Sequence, residues 1–111
     1  MTNEELTMQK FEIWQLPAGC PYKFKHFDWI KGKKPTIYDY VLVYNGESLR
    51  VDGMETEQFL EKLFYIFNEE LPSDYHACSM SVSDAIRLFD ENGHQEWWYV
   101  DGIGFKKLNW R

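Results

Sequence analysis

Ser81, Ser83, Asp84 and His76 place two hydroxyls, a carboxylate and an imidazole in one short stretch. Those are the residue types of nucleophilic acyl chemistry. The spacing argues against it. Neither serine sits in a Gly-x-Ser-x-Gly elbow, and serines at a turn cap backbone groups far more often than they attack carbonyls. Ser81 and Asp84 stand at capping-box spacing, so Ser79-Met80-Ser81-Val82-Ser83-Asp84 predicts a single turn tied by side-chain oxygens. Loss of Ser81 or Asp84 is then expected to cost about 0.5–2 kcal/mol of stability and no turnover. We expect a protein that is not an enzyme.

A metal centre would have to draw on His76, Cys78, His94 and Cys20. No Cys-x-x-Cys or His-x-x-x-His pair accompanies them, and a His-x-Cys step alone is no zinc motif. The thiols are expected reduced, and no metal or cofactor is expected. Gly102-Ile103-Gly104 lacks the third glycine and following helix of a phosphate cradle, and reads as a tight turn.

Binding remains, with two candidate surfaces. Lys23, Lys25, Lys31, Lys33 and Lys34 interleave with Tyr22, Phe24, Phe27 and Trp29, a pattern that can set base-stacking rings beside phosphate contacts. The structural reading puts those rings in the core and the lysines at its wet edge; it is favoured because a small chain needs its aromatics inside. The second surface is acidic. The chain carries −6 overall, yet residues 45–101 carry thirteen acidic and three basic side chains. Such a segment suits a basic surface on another protein better than nucleic acid. Its candidate binding residues are Glu55, Glu57, Glu61, Glu69, Glu70, Asp74, Tyr75, Asp90, Glu91 and Trp98, with Tyr75, Trp98 and Trp110 the aromatics expected to stay exposed.

These groups must be positioned by one domain, since 111 residues leave no room for a second core. Aromatics form 18% of the chain and apolar residues 44%, which excludes intrinsic disorder. No apolar run approaches the roughly 20 residues of a membrane span. Met1-Thr2-Asn3-Glu4-Glu5 lacks the basic and apolar regions of a secretory signal, so a cytoplasmic protein is expected. Residues 1–9 read as a mobile segment or short helical turn, ahead of a domain over residues 10–111.

Alternation from Lys10 to Leu16 predicts a first strand, and Thr36 to Tyr44 a second, closed by an Asn45-Gly46 turn toward Ser48–Val51. Phe59, Leu60, Leu63, Phe64, Ile66 and Phe67 recur at helical spacing. They predict one main helix over about residues 56–69, with Thr56 as N-cap and Pro72 as stop. Ala85–Phe89 and Gln95–Asp101 predict a hairpin. Were Asn92-Gly93 a two-residue loop, Leu88 would oppose Trp97, Ile86 would oppose Tyr99, and Arg87 would face Trp98. Gly102 and Gly104 would then turn Phe105 and Leu108 back to the core. The class is α+β: an antiparallel sheet of four to six strands with the helix packed on one face.

Phe11-Glu12-Ile13-Trp14-Gln15-Leu16, Tyr40–Tyr44, Phe67-Asn68, Pro72–His76, Ser79–Asp84, Tyr99-Val100-Asp101 and Gly104-Phe105 together resemble the YodL-like family. The resemblance covers residues 10–108, and departs from the family pattern in an unusually aromatic helix and at Cys78. It brings no catalytic residues. It implies a Gram-positive bacterial setting on conjugative and other mobile elements, whose small accessory proteins often blunt host defence. The expected partner is another protein, in sharper form a CRISPR or restriction nuclease whose nucleic-acid channel an acidic face could occupy. Nucleic-acid binding through Lys23–Lys34 is the alternative.

Overall fold

Alternating apolar side chains drive Phe11 and Ile13 to one face of strand β1 (Leu6–Gln15), where both are buried. The computed structural model describes residues 6–30 and 35–110. Strands β2 (Val41–Val51), β3 (Ala85–Phe89), β4 (Gln95–Val100) and β5 (Phe105–Leu108) complete a five-stranded antiparallel sheet in the order β2-β1-β3-β4-β5. With one main helix, α2 (Thr56–Glu69), this is the expected α+β fold. A single turn of helix, α1 (Phe27–Ile30), lies between β1 and β2. No helix among the described residues is long and apolar enough to cross a membrane.

Helix α2 buries Phe59, Leu60, Leu63 and Phe67 against Phe11, Ile13, Ile86, Leu88, Val100 and Phe105 of the sheet. Each fully buried Leu or Phe contributes about 1.5–3 kcal/mol, so this face anchors the helix. The cap lies one residue earlier than the sequence suggests: Glu55 is the N-cap, and its N–H donates to the Gln58 side chain at 3.0 Å. The Thr56 hydroxyl instead accepts from Arg50 Nη2 at 2.9 Å. The other face of the sheet is covered too, by a second cluster of Leu16, Tyr40, Ala85 and Trp97, against which Trp14, Tyr22 and Trp110 pack.

Three local expectations are corrected. Strand β1 starts at Leu6, with Leu6–Gln9 paired to Ser48–Val51 of β2, so only residues 1–5 of the anticipated mobile segment lie outside the described residues. Asn45-Gly46 makes no turn. It lies inside β2 opposite Glu12 and Phe11, and Thr36–Tyr40 is taken by a 3-10 turn instead. A Cβ on Gly46 would lie 2.9 Å from the Tyr44 ring and 3.4 Å from that of Phe11. Glycine is there to admit two aromatic rings, and the ladder to β1 overrides the local turn preference. Val43 is left over as a bulge, because Ile13 pairs with Tyr44 and Trp14 with Leu42.

The third correction is the hairpin register. Asp90 donates its N–H to His94 O at 3.1 Å, and its carboxylate accepts from the N–H groups of Asn92 and His94 at 2.8 and 3.1 Å. The loop is therefore three residues, Glu91-Asn92-Gly93, with Gly93 at φ +89°. Ile86 pairs with Trp98, Arg87 with Trp97 and Leu88 with Glu96. One residue of slip exchanges the faces of the whole strand. Trp98 joins the helix side and Trp97 the other, while Arg87 pairs with Glu12 at 3.3 Å and stacks over the Phe89 ring.

Candidate interaction surface

The connections at one end of the sheet, after β1, before β3 and between β4 and β5, are held by a buried polar network. Gln15, the last residue of β1, donates its amide to Asp84 Oδ2 at 3.0 Å and to Cys78 O at 2.9 Å. The Tyr75 hydroxyl donates to the same Cys78 carbonyl. Asp84 Oδ2 also accepts the Ser81 N–H at 3.0 Å, and Asp84 N–H closes the turn onto Ser81 O. The cap is thus inverted relative to expectation: the carboxylate of Asp84 caps Ser81, whose hydroxyl has no hydrogen-bond partner among the described residues. Asp84 is fully buried, and its Oδ1 is unpartnered among the described residues. Burial pushes its pKa from 3.8 to about 7, against the pull of Ser81 N–H, Gln15 and Lys23.

Ser83, fully buried, is the serine that ties this turn to its neighbours. It adopts φ +84°, the left-handed conformation required at the third position of a type II turn and normally given to glycine. Its N–H donates to Val100 O at 2.9 Å, its carbonyl accepts from Tyr40 Oη at 2.6 Å, and its Oγ accepts from Phe24 N–H at 2.9 Å. One residue thereby joins β4, the chain before β2 and the loop after β1. Ser83→Ala keeps the strain and strands the Phe24 N–H; a loss of about 1–2 kcal/mol in chemical denaturation is expected, against less than about 0.5 kcal/mol for Ser81→Ala. His76 is exposed and hydrogen-bonds to none of these groups, so the four residue types of acyl chemistry are not assembled. Cys20 and Cys78 are both free thiols, and no group of three metal-ligating side chains occurs among the described residues.

The acidic candidates divide. Glu55, Glu57, Glu61, Glu69 and Glu70 are exposed along α2 and its ends. Glu57, Glu61, Tyr65 and Glu69 follow one another at four-residue steps and form a single outward stripe. Asp74 is exposed and accepts from the Tyr44 hydroxyl at 3.0 Å. Asp90 and Glu91 lie at the hairpin tip, Asp90 spent on the turn and Glu91 paired with Lys10 at 3.1 Å. They belong to the end of the sheet where α2 begins, away from Glu69, Glu70 and Asp74.

None of the aromatics expected at the surface is fully exposed. Tyr75 is buried, its ring 5.0 Å from that of Phe67 and 5.5 Å from that of Tyr44. Trp98 is half-buried against the helix-side core, and Trp110 packs on Trp97 and Tyr40. Other apolar groups are exposed instead, among them Tyr38 at 94%, Ile103 at 92%, Phe24 at 59%, Trp29 and Tyr65 at 55% and Phe64 at 37%. Phe24 and Trp29 are therefore not core, contrary to expectation. Phe24 is held outward at φ +67°, and the ammonium groups of Lys23 and Lys25 lie 5.1 Å from the ring centres of Phe24 and Trp29. Lys23 also donates to Leu16 O at 2.6 Å; Lys31, Lys33 and Lys34 lie outside the described residues. Nothing in the sequence marks which rings turn outward, because that choice follows from the loop strain and strand register of the folded chain.

The Asp101–Gly104 turn completes the surface. Asp101 accepts from the N–H groups of Phe27 and Gly102 at 3.1 and 2.8 Å, and His26 Nδ1 stands 3.4 Å away. A Cβ on Gly102 would lie 2.2 Å from the exposed His26 ring, which would have to swing away from Asp101, and Gly104 takes φ +72°. Between this turn and α2 opens a cleft of about 200 Å³, lined by Glu61, Phe64, Val100, Asp101, Gly102, Gly104 and Phe105.

No match to this chain was found among curated proteins or among solved structures. The model of the YodL-like domain matches residues 10–110, which takes in β1 from Lys10 onward, the other four strands, α2, the Ser79–Asp84 turn and the Asp101–Gly104 turn. On that match the chain belongs to the YodL-like domain family.

Proposed function

We propose that this chain is a non-enzymatic protein-binding accessory protein of a mobile genetic element, acting in the cytoplasm as an inhibitor of a host defence nuclease. The observation that carries the binding reading is the outward stripe of α2. Glu57 and Glu61 are like charges one turn apart, which weakens a helix by a few tenths of a kcal/mol, and no cation on the stripe offsets them. Tyr65 and Phe64 lie exposed among those carboxylates. Carboxylates steer a basic partner, and exposed rings supply contact area at low entropic cost. Ser83 and Asp84 are occupied in holding backbone groups, and His76 stands apart from both, which favours a binding role over a catalytic one. The nuclease target rests on the family's setting and on the complementarity between an acidic helix and a channel built for nucleic acid.

The test is cleavage by CRISPR and restriction nucleases in the presence of purified protein. Inhibition is expected near stoichiometric amounts, relieved by Glu57→Lys with Glu69→Lys at unchanged thermal stability. Undiminished cleavage at stoichiometric excess across several nuclease types would remove the inhibitor reading. A second reading, single-stranded nucleic-acid binding, is favoured by exposed Phe24 and Trp29 with Lys23 and Lys25 beside them. It predicts a salt-dependent gel shift that Trp29→Ala, or Lys33→Glu with Lys34→Glu, weakens.

A further inference from the structure

We infer that the cleft between α2 and the Asp101–Gly104 turn receives one arginine side chain from the protein partner; this deepens the protein-binding reading and rests on it. The cleft has apolar walls in Phe64, Val100 and Phe105, and a volume near 200 Å³ that suits one long side chain rather than a peptide segment. Two carboxylates line it, and they differ. Asp101 is committed to two backbone N–H groups and to His26. Glu61 has neither an ion-pair nor a hydrogen-bond partner among the described residues, although it lines the same cleft as the Phe64 ring.

That combination discriminates among occupants. An aliphatic side chain would fill the apolar walls but desolvate Glu61 without a partner, and an acidic one would be repelled by it. A lysine would pair with Glu61 as a point charge but gain little from the flat ring. An arginine does both, because its planar guanidinium stacks on an aromatic face and pairs in bidentate fashion with a carboxylate, while its methylene stem lies against the apolar walls. The neighbouring Glu57, one turn back along α2, adds to the attraction for a basic side chain.

The test is an amide chemical-shift titration of the full chain with N-acetyl-arginine N-methylamide, with the lysine and norleucine analogues as comparators. The arginine probe is expected to give saturable shifts confined to Phe64, Val100, Gly102, Gly104 and their neighbours, at low millimolar concentration. Lysine should bind more weakly and norleucine not at all. Glu61→Gln and Phe64→Leu, both at exposed positions, should each weaken the arginine response by about fivefold. Absence of saturable shifts, an equal response to norleucine, or an unchanged response in Glu61→Gln would overturn the assignment. The two readings separate cleanly. A nuclease complex that depends on Glu57 and Glu69 but is indifferent to Glu61→Gln and Phe64→Leu removes the arginine site alone. Arginine binding in a protein that engages no partner removes the protein-binding reading alone.

Discussion

Raising the pH from 5 to 8 is expected to cost the native protein about 2–3 kcal/mol of stability that an Asp84→Asn variant does not lose. The carboxyl of Asp84 is fully buried, and burial lifts its pKa from 3.8 to about 7. The folded chain therefore retains a proton that the unfolded chain has released. Stability from this group is fully present below pH 3.8 and is lost as pH rises through about 7, a total on the order of 4 kcal/mol. Asparagine keeps an oxygen for the Ser81 N–H and the Gln15 amide, and sets an N–H₂ where the carboxylate has an unpartnered oxygen. Urea denaturation of both proteins across this range isolates the group, because every other titration is common to them. Parallel profiles would show that Asp84 is ionised without penalty. A variant that is less stable than the native protein at pH 8 would show instead that the charged cap outweighs its burial.

Asp84 illustrates which parts of the molecule the sequence discloses. Helix α2 is legible because four core contacts, Phe59, Leu60, Leu63 and Phe67, repeat at a period only a helix satisfies. The β3–β4 hairpin is legible as an element and misleading in register. Asn92-Gly93 has the composition of a two-residue turn, but the Asp90 carboxylate takes two N–H groups and adds a residue to the loop. That single side chain moves Trp97 and Trp98 to opposite faces from those expected. Asn45-Gly46 fails for a related reason, since ten paired residues of ladder and two rings outweigh one dipeptide preference. In the candidate surface, the carboxylates of α2 are legible as exposed because they fall between the core positions. The rings are not. A tyrosine and a tryptophan carry the same composition signal inside or outside: Tyr75 is buried with its hydroxyl bonded, whereas Trp97 and Trp98 pack inward by strand register with their indole N–H groups unpartnered among the described residues.

Tyr75 makes that distinction measurable, because a surface reading and a core reading predict opposite results. Its ring lies in a cluster with Tyr44 and Phe67, and its hydroxyl donates to the Cys78 carbonyl that Gln15 also holds. Tyr75→Ala is therefore expected to cost about 3–5 kcal/mol, as for other large aromatic side chains removed from a core. Tyr75→Phe keeps the packing and leaves Cys78 O to Gln15 alone, so about 1 kcal/mol is expected. Burial also pushes the Tyr75 phenol up to about 12, and its ultraviolet titration should stay silent at pH 10, where an exposed tyrosine is half ionised. The stability loss reaches function through position: Tyr75 and Gln15 together pin the segment from α2 to the Ser81–Asp84 turn, and Ser83 in turn holds the loop that projects Phe24. If Tyr75→Ala retains native stability yet abolishes nuclease inhibition, the ring belongs to the interface after all. If it lowers the denaturation midpoint and Tyr75→Phe inhibits at full strength, Tyr75 supports the surface and the contacts are made by the stripe of α2.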